Sequence, residues 1–329
     1  MKALLARLER YWFADMPSSR LAIIRILVGS YALYYLGTRR DMLLELASSP
    51  EYLFRPVGPF RFLGGPMAPE VFAVLLYSTL VLGAGFVIGW KQRFVGPTFA
   101  VLLLLTFSYR NSWSMIYHSH NLVVIHALVL GFARSADALS LDAWRRGLPM
   151  RPQGATASHW RYGWPINLMC VLTAGTYFLA GVAKVKSELG WAWAGGLSLR
   201  DQIAVDAIRK EVFGSSGAPL AYTLYDYVWL FTLLGVGSLI IELGAPAALL
   251  RRRWGYAWVL VTISLHWGIL FVMGITFRYQ LSGIIFASFL PLELVLLRGR
   301  NALDHLRGRW RRSDDPRSSP VRAVDPRTS

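Results

Sequence analysis

The chain has 329 residues, of which 54% are hydrophobic and 16% charged, whereas soluble domains usually carry about 25% charged residues. Long apolar stretches replace the missing charge and exclude an ordinary soluble domain. The net charge of +16 lies mainly between and beyond these stretches, which predicts attraction to anionic lipid rather than binding to nucleic acid.

Residues 1–19 are predicted to form an amphipathic helix in the membrane interface. The apolar side chains of its opening part fall along one helical side: Leu4, Leu5, Leu8 and Trp12. Basic residues occupy the remaining sides. A secretory signal peptide is not expected, because no apolar core precedes the charges and no small-residue cleavage site follows.

Residues 20–297 are predicted to form an all-α, polytopic membrane helix bundle of about eight transmembrane helices. A spanning helix needs about 20 mostly apolar residues. Eight stretches approach this length: 20–38, 70–90, 94–110, 119–134, 165–186, 226–250, 255–276 and 278–297. The fourth and eighth are the least regular, so the expected count lies between seven and nine.

Two connecting segments are long enough to carry structure of their own. Residues 39–69 are expected to fold back on the membrane surface. Residues 186–225 are predicted to contain an amphipathic surface helix, because Leu199, Ile203 and Ala207 recur at helical intervals.

The distribution of basic residues predicts the orientation. Arginine and lysine are denser in the segments that a cytoplasmic amino terminus would place inside the cell. Residues 298–329 are rich in arginine, serine, proline and aspartate and are predicted to form a basic, disordered cytoplasmic tail. The expected location is the cell (plasma) membrane, with both termini in the cytoplasm.

Ionisable residues inside predicted spans are costly and therefore mark candidate sites. Arg25 in the first span and Glu242 in the sixth fall at similar depths near the inner surface. We expect them to form a structural ion pair that ties the two spans together. Catalysis by Glu242 as a buried acid is the alternative.

Tyr177, Gly181 and Lys184 of the fifth predicted span fall on one helical face, because they are four and three positions apart. Gly181 has no side chain, so another helix or a flat ligand can approach closely. Lys184 is expected near the outer end of its span. There it either extends its amine to the interface or holds it in a dry pocket as a base.

Histidines occur at this outer end and at the expected bilayer centre. His118 and His120 open the fourth predicted span, and His266 lies near the middle of the seventh. Hydrogen bonds at the interface or between helices are the ordinary role of such residues. No metal site is predicted, because the first two side chains diverge on a helix, no third ligand follows, and Cys170 is the single cysteine.

Several of these residues resemble known motifs. The run 177–184, followed by Trp191, Trp193 and Gly195, resembles the core of vitamin K-dependent gamma-carboxylases, and residues 15–297 are similar to the HTTM (horizontally transferred transmembrane) domain. Further similarities follow in the expected order: Arg25 to Gly29, Ser112-Trp113 with His120, Ser140-Leu141-Asp142, Glu242 and His266.

The resemblance implies a reduced quinone of the vitamin K or menaquinol type as cofactor, and oxygenation linked to carboxylation of a peptide glutamate as the reaction. It assigns the catalytic base to Lys184 and a helping role to His120. It places Tyr177, Gly181 and His266 in the cofactor-binding site. The implied partners are the lipid bilayer and a small secreted or membrane peptide.

Two departures leave another function open. The carboxylases have two adjacent lysines where this chain has Ala183 and Lys184, and they carry a large substrate-binding region where this sequence has a short arginine-rich tail. The alternative is a non-catalytic membrane partner of a peptide maturation, toxin or export system. A transporter ranks last, because the sequence has no inverted repeat and no matching pair of broken spans.

Overall fold

A computed structural model describes residues 2–113, 116, 120–148, 158–295 and 297–298 of the chain. His118 and, apart from Arg298, the predicted tail 298–329 lie outside the described residues. The described helices are α1 (Lys2–Trp12), α2 (Ser18–Thr38), α3 (Arg40–Ala47), α4 (Pro69–Ile88), α5 (Gln92–Asn111), α6 (Asn121–Phe132), α7 (Leu141–Arg145), α8 (Trp160–Lys186), α9 (Leu197–Val212), α10 (Pro219–Leu224), α11 (Val228–Leu243), α12 (Arg252–Met273) and α13 (Arg278–Leu281).

The fold is an all-α membrane bundle, as predicted. Four of its described helices, α2, α4, α8 and α12, are long and apolar enough to cross a membrane, and α6 and α11 are shorter apolar helices. The predicted third span corresponds to α5, a 20-residue helix whose ends are polar. In the described part, strand pairing is limited to two residues on each side, Met16–Pro17 (β1) with Ser158–His159 (β2).

The predicted eighth span is wrong, because residues 278–297 do not form one long helix. After the four-residue helix α13, Gly283 takes a positive φ of 72°, and a 3-10 turn follows at Ile284–Phe289. Pro291 then prevents a continuing helix. Residues 285–288 within this segment are nevertheless buried, with Phe286 fully inaccessible, and irregular backbone at membrane depth is tolerated where protein surrounds it.

A buried ion pair fixes one end of this last segment. The Arg20 guanidinium, near the start of α2, donates to both carboxylate oxygens of Glu293, with 2.7 Å between Nε and Oε2. Both side chains are at least 90% buried. We call this side of the molecule the Arg20 end, and the opposite side, where α9 lies, the α9 end.

The α9 end is built from the two long connecting segments. The first contains α3 and two 3-10 turns, and its Phe54 and Phe60 are buried against Tyr109 of α5. The second contains a 3-10 turn at Gly190–Gly195, then α9 and α10. The predicted helix is present in α9, which buries Ile203 and Ala207 toward the bundle.

Candidate functional site

The last three turns of α8 carry the predicted face of Tyr177, Gly181 and Lys184. The first two residues are buried, and the Lys184 side chain is 25% exposed. Ser187 ends the helix in extended backbone, and the chain then turns back along α11. This face therefore points toward α11 and the turn that follows it.

Lys184 forms an ion pair with Glu242 near the end of α11, with 2.7 Å between Nζ and Oε1. The Glu242 side chain is 10% exposed. The Lys184 ammonium also lies 5.5 Å from the ring centre of Trp193, which is within the range of a cation–π contact. The other carboxylate oxygen of Glu242, Oε2, is buried and has no hydrogen bond in the described part of the chain.

Gly181 permits this contact. A Cβ atom at position 181 would lie 3.0 Å from the Glu242 Cβ and 3.0 Å from Leu243 Cδ2. The absent side chain therefore serves the approach of α11 to α8, as small residues commonly do between membrane helices. The close neighbour is another helix, which was one of the two roles expected for this glycine.

The partner of Lys184 lies far along α11. Glu242 is 14 residues after Val228, the first residue of that helix, which corresponds to about 21 Å along the helix axis. The close approach of the two helices at Gly181 brings the end of α8 beside the end of α11. The Lys184 ammonium is therefore paired with a carboxylate, while a quarter of its side chain stays exposed.

The predicted ion pair between Arg25 and Glu242 is wrong. Arg25 is fully buried and donates from Nη2 to the carbonyl oxygen of Leu139, at 2.7 Å. The space for its guanidinium is left by Gly89, which has a φ of 68°. The two residues were paired because they were expected at similar depths in the membrane. In the structure Arg25 points to the connection after α6, whereas Glu242 points to α8.

Tyr177 and His266 form a second polar contact beside the ion pair. The Tyr177 hydroxyl lies 2.7 Å from His266 Nε2, and both side chains are buried. His266 Nδ1 is buried without a hydrogen bond among the described residues. The sequence indicated both residues separately, but nothing in the pattern revealed that they contact each other.

An apolar cavity of about 480 Å³ lies between α11 and α12 and includes the ion pair in its lining. Leu199 and Ile203 of α9 close it at the α9 end, and Ser238 and Ser264 add hydroxyl groups to its walls. Sequence patterns could not reveal this cavity, because α11 and α12 look like ordinary adjacent spans.

Two predicted cofactor residues lie just behind this cavity. Tyr177 and His266 are not among its described lining residues, but the neighbouring Leu265 and Phe277 are. The ring of Phe277 lies 5.2 Å from that of His266. This pair therefore supports the wall rather than forming it.

His120 occupies a different contact cluster. Its ring lies 4.4 Å from that of Tyr35 on α2 and 5.4 Å from that of Phe107 on α5, and the side chain is buried. The described contacts of Lys184 are with Glu242 and Trp193. The structure therefore does not bring the two predicted catalytic residues into direct contact.

Comparison with known proteins gives one match. A family model described as the HTTM domain matches residues 13–289. No curated protein and no solved structure matches the chain. The match covers every helix from α2 to α13, and with them the cavity and the ion pair.

Proposed function

The chain belongs to the HTTM domain family, and we propose that this membrane protein binds a reduced quinone in the cavity between α11 and α12 and removes a hydroxyl proton from it. The proposal rests mainly on the position of one ion pair. The Lys184–Glu242 ion pair lies in the wall of a mostly apolar cavity, and one oxygen of its carboxylate has no hydrogen bond in the described part of the chain.

The cavity fits the size and chemistry of a quinol. Small-molecule sites usually measure about 300–1,000 Å³ and combine an apolar lining with a few polar groups. Here the polar groups include Ser238, Ser264 and the ion pair, and apolar side chains form most of the wall. Buried polar atoms are normally paired, so the free Glu242 Oε2 suits a hydroxyl donor on a ligand.

The ion pair changes which residue accepts the proton. An ammonium that is ion-paired has no free electron pair, so Lys184 in this state is not a base. Glu242 Oε2 is then the accepting atom, because Oε1 is already in contact with the Lys184 ammonium. Lys184 acts on the reaction through Glu242, and the contact with Trp193 helps to hold it in place.

The resemblance to gamma-carboxylases suggests the steps after this proton transfer. A bound quinol of the vitamin K or menaquinol type would supply the reducing equivalents for oxygenation. A peptide glutamate would be the group that is carboxylated, in a small secreted or membrane peptide. In this scheme Tyr177 and His266 keep the wall of the site in position. His120 is not among the described lining residues of the cavity, so the scheme gives it no step.

The proposal is tested by measuring quinone binding and hydroquinone oxidation separately. The full-length protein is purified in detergent and supplied with a naphthohydroquinone in the presence of oxygen. Bound quinone is measured after solvent extraction, and hydroquinone oxidation is followed by absorbance. Glu242→Gln preserves the side-chain shape but removes the charge, so it should retain bound quinone and oxidise it about 10²-fold or more slowly.

Glu70→Gln is the matched control, because it makes the same change at an exposed carboxylate in the first turn of α4, outside the described lining of the cavity. It should oxidise the hydroquinone at nearly the wild-type rate. An unchanged rate in Glu242→Gln would contradict the proposed proton acceptor. Wild-type protein that neither binds nor oxidises the quinol would favour the non-catalytic membrane partner instead.

A further inference from the structure

A second cavity, of about 760 Å³, lies at the Arg20 end, between the start of α5, the end of α6 and the short helix α7. We propose that it binds the phosphate group of an anionic membrane lipid. It shares no described lining residue with the cavity between α11 and α12. The inference therefore does not depend on the proposed quinol chemistry.

The lining of this cavity carries an excess of positive charge. Arg93, Arg134, Arg145 and Arg146 contribute to it, against the two carboxylates of Asp137 and Asp142. Arginine binds phosphate through pairs of parallel N–H donors, and clusters of basic residues at the membrane boundary attract anionic headgroups.

The Asp142 carboxylate is engaged by backbone groups. Its two oxygens accept hydrogen bonds from the N–H groups of Lys91 and Gln92, at 2.9 and 2.8 Å. These N–H groups belong to the start of α5, where a negative charge is favourable. Asp142 therefore caps this helix and leaves the lining arginines available.

The Asp137 carboxylate is shared among three donors. Arg134 Nε lies 2.7 Å from one of its oxygens, and the Tyr162 hydroxyl lies 3.0 Å from the same oxygen. An Arg146 nitrogen lies 3.4 Å from the other oxygen. Asp137 thereby orients two of the four arginines.

Arg93 and Arg145 are exposed and form no ion pair within the part of the chain that the structure describes. The positive charges of these two arginines are therefore not balanced by a described carboxylate in the cavity. Because they hold no described element in place, they can be substituted with little expected effect on the fold.

Apolar side chains beside the arginines favour a lipid over free phosphate. Phe132, at the end of α6, lines the cavity and is 66% exposed. Trp144 of α7 is 59% exposed, and aromatic residues of this kind are enriched at headgroup level. Pro97 of α5 continues the apolar lining. A ligand with both phosphate and acyl chains satisfies both parts of this surface.

Native mass spectrometry of the full-length protein in detergent tests the inference, with phosphatidylglycerol and phosphatidylcholine as separate probes. Wild type should retain phosphatidylglycerol in preference to phosphatidylcholine. The double variant Arg93→Gln/Arg145→Gln should bind phosphatidylglycerol about tenfold or more weakly, at about 1 kcal/mol for each basic residue near the surface.

The matched control is Arg252→Gln/Arg253→Gln, which removes two exposed arginines at the start of α12, outside the cavity. It should keep most of the binding, and thermal unfolding of both double variants checks that they are folded. Equal loss of binding in the two would overturn the inference. Equal retention of phosphatidylglycerol and phosphatidylcholine by wild type would also overturn it, since the site would then not select an anionic lipid.

Discussion

Lys184 and Glu242 lie 58 positions apart in the sequence, and their side chains meet in the wall of the cavity. An ion pair in this setting needs both partners. When one is removed, the other charge is left without compensation in a medium of low dielectric constant. The ion pair can therefore be tested by thermal unfolding as well as by the rate of hydroquinone oxidation.

Glu242→Leu should destabilise the protein more than the double variant Lys184→Met/Glu242→Leu does. Removing one partner of a fully buried pair costs about 3–5 kcal/mol, and the 25% exposure of the Lys184 side chain reduces the expected loss to about 2–3 kcal/mol. Thermal unfolding in detergent provides the comparison. A double variant that loses as much stability as Glu242→Leu, or more, would show that the two charges do not stabilise each other.

Gly89→Ala should lower stability by more than the backbone cost alone. A Cβ atom at position 89 would overlap the guanidinium of Arg25 and the side chain of Ser140. Gly147→Ala is the control, because Gly147 also has a positive φ, of 76°, but a Cβ there meets no atom of the described residues within 4 Å. The control should lose about 1–2 kcal/mol in thermal unfolding, and an equal loss in both variants would contradict the assigned position of Arg25.

The sequence predicted which residues belong to the candidate site better than it predicted which side chains they contact. Helical spacing was sufficient to place Tyr177, Gly181 and Lys184 on one face, because that relation is local. The partner of Lys184 depends on how α8 crosses α11, which no local pattern contains. Arg25 and Glu242 were consequently paired by depth alone, and the structure places each with a different neighbour.

At the scale of helices, the packing of α8 against α11 determines the site. Gly181→Leu should separate the two helices, because even its Cβ would press against Glu242 and Leu243. Gly175→Leu is the control on the same helix, since a Cβ there has no neighbour within 4 Å in the part of the chain that the structure describes. The yield of monodisperse protein from size-exclusion chromatography should fall for the first variant only. Equal yields would contradict the close approach of α11 at Gly181.

The elements with a simple apolar pattern were predictable. The stretches 20–38, 70–90, 165–186 and 255–276 correspond to helices α2, α4, α8 and α12, with bounds shifted by a few residues. The stretch 278–297 is as apolar as a span, but Gly283 and Pro291 interrupt it. Apolar composition alone did not separate a spanning helix from an irregular segment whose middle, residues 285–288, is buried within protein.

At the scale of the whole molecule, the distribution of basic residues predicts the orientation. In a Cys170→Ala background, an impermeant maleimide should label Ser215→Cys in intact cells, because the exposed segment between α9 and α10 is expected outside. Arg252→Cys, at the Arg20 end, should react only after permeabilisation. Labelling of Arg252→Cys in intact cells, with Ser215→Cys protected, would reverse the orientation.

The central claim is that the cavity between α11 and α12 holds a quinone. Gly268 lines this cavity, and a Cβ at its position meets no described atom within 4 Å. A larger side chain there fills the space without a clash at that atom. Gly175→Phe makes the same change on α8, away from the cavity's described lining.

The most direct measurement is the amount of quinone extracted per mole of purified protein from wild type, Gly268→Phe and Gly175→Phe. Wild type and Gly175→Phe should carry similar amounts, and Gly268→Phe should carry little or none. Equal quinone in all three proteins, or none in wild type, would contradict the claim.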